Sequence, residues 1–538
     1  MTRLLLAAAL LAGPAAYAQT AARPMTAPVR PTPTVAQDPA LVQRYQATIT
    51  PDELAGHLYV YASDHFAGRD TGSPGESLAR LYLAGQYRQM GIGPRGTAAD
   101  TTGNYGLGAY MQPFTLERST LQSLSVTASR GGTALAESRL AAGDTDATLF
   151  VPVGGEVPDA PVTAPLVYVG YGADVVASTP DVRGKVVLLR PGSPGNPGDR
   201  SAMGAAFEAL GESGAVAVLL PMMPTAAALS RFAARAVSGG GGLSLPPAPG
   251  EAAGADEPLA LLTGLDVAER LVGSFDAATA GDTGVTITID GRQTRETVHT
   301  ANVLAVIPGS DLADEVVIVS AHLDHVGTRE GEGDTIFNGA DDDGSGTVTM
   351  LEIAEAFETA RRDGHGPRRT VLILHVTGEE RGLLGSEYYA DREPVFPLAQ
   401  TVTNLNVDMI GRHDPTHPGA DSNYVYVIGG DLISQDLHDW NAAVNTTTGL
   451  DLDLSDRFNS PDDPNQFFRR SDHWNFGKHD VPFIFYFTGT HEDYHQVGDE
   501  PHKIDYDRMA TIGRLIFGTA WDVANRDARP AVSGEGFN

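Results

Sequence analysis

The chain has 538 residues, 42% of them hydrophobic and 20% charged, a composition typical of a globular protein with room for more than one domain. Its formal charge of −31 argues against nucleic acids and anionic membranes as partners. The sequence contains no cysteine, so it forms no disulfide, and any bound metal must be held by His, Asp or Glu.

The first residues have the pattern of a secretory signal. Arg3 is followed by the apolar run Leu4–Ala12, which is too short to span a bilayer, and Ala16–Ala18 fits a small-x-small cleavage site. We therefore predict a signal peptide at residues 1–18 and an exported protein, periplasmic or extracellular. Residues 19–40, rich in Pro, Ala and Thr, are predicted to form a linker. No later stretch is apolar enough for a transmembrane segment.

Two textures divide the rest of the chain. After a helical pattern at about 50–95, residues 118–298 show short β-type runs cut by Gly-, Pro- and Ala-rich loops, which predicts an inserted β-rich domain. From residue 299, apolar runs of strand length alternate with helical segments. This pattern predicts an α/β fold with a mostly parallel, mixed sheet and helices on both faces, in three layers. The predicted domain bounds are 41–117 with 299–527 for the α/β domain, 118–298 for the insertion and 528–538 for a C-terminal tail.

Potential metal ligands follow four of the predicted strands. They are His322 after "EVVIVSA", Glu379 and Glu380 after "TVLILHVTG", Asp408 after "TNLNV" and His495 shortly after "PFIFYFTG". In parallel sheets, bound molecules and ions lie beyond the carboxyl ends of the strands. We therefore expect these side chains to lie around a common crevice. Histidine and carboxylate side chains without a thiolate are the ligands of zinc and similar divalent ions.

The segment "NGADDDGSGT", Asn338–Thr347, places three aspartates in a row between glycines. A solvated acidic turn is the ordinary interpretation of such a cluster. However, the ligand set is larger than one catalytic zinc uses, which favours two metals, and two metals ~3.5–4 Å apart need a bridging carboxylate. One of these aspartates can bridge, because the glycines let the backbone approach closely and the cations remove the repulsion.

Several blocks resemble the dinuclear zinc aminopeptidases of peptidase family M28. They are "AHLDH", "NGADDDGSG", "TGEERGLLGSEYYA", "NVDMIGR", "DYHQVGDE" and the N-terminal "SDHFAGRDTGSPGESLARLYLAGQYRQMGIGP". The segment "YVGYGADVVASTPDVRGKVVLLRPG" resembles a protease-associated domain, which some members of the family carry at this place. The first resemblance implies a zinc exopeptidase-like fold and two zinc ions per chain.

The resemblance also assigns ligands to positions of this sequence. His322 and Asp408 would hold one zinc, and Glu380 and His495 would hold the other. Asp342 would bridge them, because it begins the "DDGSG" core.

Two further residues receive catalytic roles from the resemblance. Glu379 would be the general base, and Asp324 would accept a hydrogen bond from His322 and fix its tautomer. The family also has a cis peptide bond after the bridging aspartate, here between Asp342 and Asp343. Independently of the family, the adjacent side chains of Glu379 and Glu380 diverge at a strand end, so one can bind metal while the other faces a metal-bridging water.

Other polar residues near the blocks receive weaker predictions. Four histidines do not occupy matched ligand positions and are predicted to have no direct role: His325, His375, His473 and His491. His375 lies within a strand run and is predicted to be a core histidine. Asp472 is either a support for the ligands or purely structural, and Tyr494 either contacts the reaction's oxyanion or packs.

The predicted function is an exported zinc-dependent aminopeptidase that acts on N-terminal residues of peptide substrates. A carboxypeptidase of the glutamate carboxypeptidase type is an alternative on the same scaffold, and Arg469 and Arg470 keep it open, because such an enzyme needs arginines in its pocket. A metal-free binding ectodomain is disfavoured by the intact ligand set. A glutaminyl cyclase would use one zinc, whereas this chain has ligands for two. The sequence assigns no oligomeric state.

Overall fold

The computed structural model describes residues 38–99, 103–141, 148–155, 157–158, 160–178, 180–194, 196, 202–229, 232–233, 236, 242–248, 258–275, 278–417, 423–460 and 463–533. The predicted signal peptide, most of the predicted linker and the last five residues lie outside this part of the chain. The chain divides into two compact units. We call Leu116–Val298 the insertion, and the described residues up to Thr115 together with those from His299 the α/β unit. None of the helices described has both the length and the apolar character needed to cross a bilayer.

A mixed sheet forms the centre of the α/β unit. Its four central strands are parallel and lie in the order Arg369–Val376, Leu312–His322, Thr401–Val407 and Phe483–Phe487. On one side, the last part of Gly281–Ile307 pairs antiparallel with the first of these strands and carries Gly93–Pro94 beyond it. On the other side, Tyr424–Ile428 pairs antiparallel with Phe483–Phe487, and Asp453–Ser455 follows. The predicted mostly parallel, mixed sheet is confirmed.

Helices cover both faces of this sheet, which explains why its strands read as continuous apolar runs. In Leu312–His322, Val317 and Val319 belong to one buried cluster, whereas Val316 and Ile318 belong to another. A strand with apolar neighbours on both faces gains from Val, Ile or Leu at every position, so the two-residue alternation disappears.

Six longer helices belong to the α/β unit within the described residues. They are Pro39–Gln46, Pro51–Tyr61, Pro74–Met90, Gly346–Arg362, Gln435–Thr447 and Tyr506–Asn525. The short helices are Leu384–Glu387, Gly430–Ile433 and Trp474–Gly477, and the 3₁₀ or π turns are Asp64–Arg69, Gly103–Tyr110, Ala340–Ser345, Tyr388–Arg392, Leu398–Gln400, Phe467–Arg469 and Pro501–Lys503. Local sequence fixes several starts. Ser73, for example, accepts the amide of Glu76 at 3.1 Å just before a proline-initiated helix, a cap that contributes ~1 kcal/mol.

The insertion has a sheet with its own core. Its parallel strands lie in the order Val162–Tyr171, Val186–Arg190, Ala217–Met223 and Leu259–Gly264. Antiparallel strands at its edges are Phe150–Gly154 and the first part of Gly281–Ile307. Met111–Arg130 pairs with Thr133–Ala141 and Gly242–Ser244.

Helices connect the parallel strands of the insertion. They are Gly172–Ala177, Met203–Glu212 and Leu265–Val272, with a 3₁₀ turn at Ala226–Leu229. The expectation that this stretch lacks an α/β texture is therefore wrong. The signal was available in Met203–Glu212, where the buried Met203, Phe207 and Leu210 recur at helical spacing.

Candidate metal centre

The five predicted ligands come together beyond the carboxyl ends of the central strands. Asp342 lies between two histidines, with its Oδ1 3.2 Å from His322 Nε2 and its Oδ2 3.0 Å from His495 Nε2. Asp408 Oδ1 lies 3.7 Å from His322 Nε2, and Glu380 Oε2 lies 3.0 Å from His495 Nε2. The five side chains therefore form two groups of three that share Asp342, which is how a bridging carboxylate sits between two metals.

The aspartate cluster of the sequence is not a solvated turn. Asp342 is 3% exposed and lies in the π turn before helix Gly346–Arg362, and its peptide bond to Asp343 is cis, as the resemblance implies. Asp343 is fully buried. Its carboxylate accepts the amides of His322 at 3.1 Å, Gly346 at 2.9 Å and Met409 at 3.3 Å. This aspartate joins three ligand-bearing segments of the main chain.

The first aspartate of the cluster is also held on several sides. Asp341 accepts the amide of Gly411 at 2.6 Å and lies 3.2 Å from His491 Nε2. The Asp499 carboxylate in turn accepts the amides of Asp341 at 3.0 Å and Asp342 at 3.1 Å. His491 thus supports the loop that carries Asp342.

The orientation of His322 differs from the prediction in one contact. Its Nδ1 lies 3.1 Å from the main-chain oxygen of Asp324, so the ring donates there and turns Nε2 towards Asp342. The carboxylate of Asp324 is 3.8 Å from Nδ1, so the prediction that it accepts this hydrogen bond is wrong. It accepts the Thr71 hydroxyl at 2.8 Å and the Glu379 amide at 3.2 Å, because the chain turns after the strand and directs the side chain away from the ring.

The two adjacent glutamates lie in different electrostatic environments. Burial raises the pKa of Glu379 well above its ordinary value; the charge of His322 opposes this rise, and the charges of Glu380 and Asp408 add to it. Burial would raise the pKa of Glu380 too, but the imidazoles of His495 and His325 act together against it and lower this pKa to about 2. Glu379 is therefore suited to holding a proton, and Glu380 to remaining ionised as a ligand.

Unpartnered buried atoms show that the cluster fits metal ions. Among the described residues, His322 Nε2, Asp342 Oδ2 and Glu380 Oε1 are buried without a well-aligned hydrogen bond, although each lies within 3.2 Å of an imidazole nitrogen or carboxylate oxygen of the cluster. Buried polar atoms without partners are costly, and so is a group of buried carboxylates without cations. Divalent ions would satisfy both needs, and a set of imidazole nitrogens and carboxylate oxygens without sulfur suits zinc.

One histidine that the sequence reasoning set aside belongs to this cluster. His325 is fully buried, with its Nδ1 2.8 Å from Glu380 Oε1 and 3.8 Å from Asp342 Oδ2. This contact with two predicted ligands shows that His325 belongs to the cluster; that it has no direct role stays a prediction. The available signal was the spacing in "HLDH", which puts His325 three residues after His322 at the same strand end.

Two other histidines behave as core residues. His375 is fully buried beside Tyr87, and burial lowers its pKa to about 3. His473 stacks on Phe485 with ring centres 4.6 Å apart, and burial lowers its pKa to about 3 as well. Both rings are therefore neutral packing elements.

The "RRSDHW" block supports the site through a residue that the sequence did not mark. Ser471 donates to Asp408 Oδ2 at 2.7 Å and accepts from Asn406 at 2.9 Å. The neighbouring Asp472, which the sequence did mark, accepts from Ser386 at 2.6 Å, and burial raises its pKa to about 7. No local pattern distinguishes which of two adjacent polar residues faces a ligand.

A pocket of about 360 Å³ opens beside the cluster and is lined by Asp342, Glu379 and Asp408. Its apolar wall consists of Met409, Phe467, Phe485 and Phe487. Its polar rim contains Thr490, Arg470 and Tyr494, and the Tyr494 ring stacks on His495 with centres 4.0 Å apart. The pocket therefore offers an apolar surface next to a carboxylate-rich one.

The region that carries the cluster matches a known family model. Residues 302–520 fit the model described as Peptidase family M28. We call residues 302–520 the M28 region. The recognition from the motif blocks is thereby confirmed, and all five predicted ligands lie within the M28 region. That the insertion is a protease-associated domain stays a prediction.

Curated relatives match the same part of the chain. A probable zinc metalloprotease of Pyrenophora teres f. teres is 28% identical over 273 residues, which cover 43% of this chain and 53% of that protein. A probable leucine aminopeptidase 2 of Aspergillus oryzae is 31% identical over 216 residues, which cover 40% of this chain and 38% of that protein. The chain spans about half the length, or less, of these curated relatives.

A solved structure extends the likeness in fold beyond the M28 region. The aminopeptidase from Aneurinibacillus sp. strain AM-1 aligns with a TM-score of 0.53 at 19% identity, covering 93% of this chain and 99% of that one. The predicted zinc exopeptidase-like fold is thereby confirmed.

Proposed function

We propose that this protein is a zinc-dependent aminopeptidase with two zinc ions per chain. His322 and Asp408 would hold one ion, Glu380 and His495 would hold the other, and Asp342 would serve both. The observation that carries this proposal is the position of Asp342, whose two oxygens lie 3.2 Å and 3.0 Å from imidazole nitrogens on opposite sides. An M28 region containing this geometry supports peptide hydrolysis rather than a binding role alone.

Zinc ions bound here would act as Lewis acids and lower the pKa of a water between them from 15.7 to ~7. Glu379 lines the pocket beside Asp342 and Asp408, so its carboxylate can take the proton of the attacking water. The same carboxyl can then return that proton to the leaving amine. Asp324 accepts the Glu379 amide and thereby fixes the main chain that presents this base.

The pocket suits a peptide with a free N-terminus. Glu379, the lining carboxylate that is not a proposed metal ligand, can attract the α-amine, and the phenylalanine side chains can take an apolar first residue. Tyr494 lies next to the ligand His495 and lines the same space, so its hydroxyl can donate to the oxyanion that develops on the carbonyl.

A carboxypeptidase acting on acidic C-termini is the second candidate, favoured by Arg470 on the pocket rim. Its guanidinium lies 5.0 Å from the Phe467 ring centre, where it could meet a carboxylate. The other arginine of this pair packs differently, since Arg469 lies over the Phe468 and Trp474 rings. A single pocket arginine supports this reading less than the carboxylates support the first.

Matched substrates decide between the two candidates. We expect hydrolysis of leucyl anilides and of dipeptides with a free amine, loss of activity on chelation and recovery on addition of zinc. Acetylation of the N-terminus should stop cleavage, because it removes the charge that the carboxylates attract. Rapid cleavage of an N-acetylated peptide ending in glutamate, with none of the free-amine substrates cleaved, would establish the carboxypeptidase instead.

We also propose that the protein is exported. The support is the order of a basic residue, a short apolar run and a small-x-small site within residues 1–18. Mass determination of the protein secreted from its own host should give an N-terminus at Gln19. A full-length chain retained in the cytoplasm would contradict export.

A further inference from the structure

A buried arginine from the N-terminal segment contacts two of the loops that carry predicted metal ligands. Arg69 is 1% exposed. Its Nε donates to the carbonyl of Leu323 at 3.1 Å, its Nη1 to that of Asn338 at 2.7 Å, and its Nη2 to that of Gly339 at 2.9 Å. Three nitrogens of one guanidinium therefore bind three main-chain oxygens.

These oxygens belong to two different ligand loops. Leu323 follows the predicted ligand His322 directly, whereas Asn338 and Gly339 precede Asp342 by a few residues. A guanidinium is planar, and its N–H groups point in fixed directions, so it holds its acceptors at set positions relative to one another. Arg69 thereby ties the loop that presents His322 to the loop that presents Asp342.

The backbone around Arg69 adopts an unusual conformation that lets its side chain reach these two loops. Ala67, Gly68 and Arg69 have φ values of 47°, 68° and 52°, a run of left-handed conformations that is unfavourable for the two non-glycine residues. A Cβ on Gly68 would lie 2.2 Å from the carbonyl oxygen of Gly327, so the approach requires glycine. Strained backbone of this kind persists where the surrounding structure fixes it, often near functional sites.

A second side chain supports the same contact. The Arg69 guanidinium lies 4.6 Å from the ring centre of Tyr61, and the Tyr61 hydroxyl donates to the carbonyl of Leu323 at 2.9 Å. Arg69 Nη1 also reaches the carbonyl of Tyr61 at 3.3 Å. The carbonyl next to His322 thus receives two donors, both from the N-terminal segment of the α/β unit.

We propose that Arg69 is a positioning residue for the metal centre, setting the separation of His322 and Asp342 through the carbonyls of their loops. The inference rests on the proposed function, because it takes these two side chains to share a metal ion. A residue that only stabilises the core would lower the melting temperature without changing metal affinity, and this difference makes the proposal testable.

The test compares Arg69→Lys with Arg369→Lys. Lysine keeps the charge but cannot hold three carbonyls in the geometry of a guanidinium. Arg369 is a matched control, because it is fully buried and binds the carbonyl of Val523 at 2.7 Å at the opposite, amino-terminal end of its strand. Zinc affinity is measured on metal-free protein by competition with a coloured chelator, and the visible spectrum of Co²⁺-loaded protein reports ligand geometry.

We expect Arg69→Lys to weaken zinc binding by at least ~10-fold at one of two sites, which is the usual effect of removing a residue that orients a metal ligand. The variant should also change the Co²⁺ spectrum. Arg369→Lys should lower the melting temperature but leave both measurements unchanged. Unchanged zinc affinity and spectrum in Arg69→Lys, with a melting temperature lowered as in Arg369→Lys, would overturn the proposal.

A milder variant keeps the proposal testable if Arg69→Lys does not fold. Tyr61→Phe retains the ring but removes the hydroxyl that donates to Leu323, so we expect a smaller loss of zinc affinity in the same direction. Unchanged affinity in Tyr61→Phe would then count against the proposal. If the unaltered protein binds no zinc, the proposed function itself fails; if it binds two ions and the variants match it, only the role of Arg69 fails.

Discussion

Both units of the molecule contain four parallel strands, and both place carboxylates beyond strand ends, but these carboxylates have different partners. In the insertion, Asp174 follows the strand Val162–Tyr171 and accepts the amide of Tyr171 at 2.9 Å. Asp266 follows Leu259–Gly264 and accepts the amides of Ala226 and Val267, each at 3.0 Å. These carboxylates fix turns and the start of helices.

In the α/β unit, Asp324 and Asp343 also accept main-chain amides, but other carboxylates beyond the strand ends face imidazoles. Asp342 and Asp408 lie beside His322, and Glu380 lies beside His495. The comparison shows that the end of a parallel sheet brings side chains from different strands close together but does not by itself form a binding site. Whether a site forms there depends on whether each carboxylate is already satisfied by nearby amides or retains oxygens for a cation.

The largest expected effect is at the shared carboxylate. Asp342→Ala should reduce bound zinc from ~2 ions to ~0 and abolish peptidase activity, because both groups of ligands lose their common member. Elemental analysis of the purified protein measures this directly. Asp174→Asn in the insertion is the control and should retain its metal. Full zinc content in Asp342→Ala would show that the carboxylates of the α/β unit do not differ from those of the insertion in binding cations.

The next effect separates the adjacent glutamates. Glu379→Gln should reduce kcat by at least ~10²-fold while zinc content stays unchanged, because the amide cannot accept the proton of water. Glu380→Gln should instead lose one ion, because the amide is a weaker ligand than the carboxylate. Steady-state kinetics and metal analysis of both variants test the assignment. The opposite pattern would exchange the two roles.

A smaller effect concerns the serine that supports Asp408. Ser471→Ala removes the 2.7 Å hydrogen bond to the Asp408 carboxylate and should weaken zinc binding by ~10-fold. Ser386→Ala is a matched control, since Ser386 is equally buried and donates to Asp472 rather than to a predicted ligand. Chelator competition on both variants gives the affinities. Equal losses of zinc affinity would mean that the contact with Asp408 has no special role.

The smallest effect sharpens the other side of the comparison. Asp266→Ala removes the acceptor of two amides in the insertion and should lower the free energy of unfolding by ~1 kcal/mol. Zinc content and kcat should not change, because this carboxylate serves the local backbone. Denaturant unfolding together with metal analysis checks both statements, and a loss of zinc would show that the insertion influences the centre.

The sequence was sufficient for the sheet of the α/β unit and for five members of the ligand cluster, but not for His325. Buried strands can be recognised as apolar runs, as in "EVVIVSA" before His322. The order and spacing of the blocks around Asp342 and His495 identify the ligand positions. The helical part of the insertion was missed, although Met203, Phe207 and Leu210 recur at helical spacing. Chemical roles within the cluster, beyond the geometry, remain predictions.

Contacts between a side chain and a distant main chain could not be predicted. The sequence suggests that His322 bonds to the Asp324 carboxylate, yet the carbonyl of the same residue takes that place. Arg69 likewise has no local pattern that points to carbonyls more than 250 residues away. Such partners depend on the path of the backbone in three dimensions, and one-dimensional spacing does not contain it.

The discontinuity of the α/β unit has a consequence for how the chain is made. Helices Pro51–Tyr61 and Pro74–Met90 leave the ribosome early, but their buried residues, such as Leu58 and Leu83, share a core with Leu351, which is synthesised only after the whole insertion. Contacts so distant in sequence form late. The apolar side chains of these two helices therefore stay exposed until the rest of the α/β unit has been synthesised. A nascent chain halted at Val298 should bind a chaperone through these helices until synthesis resumes.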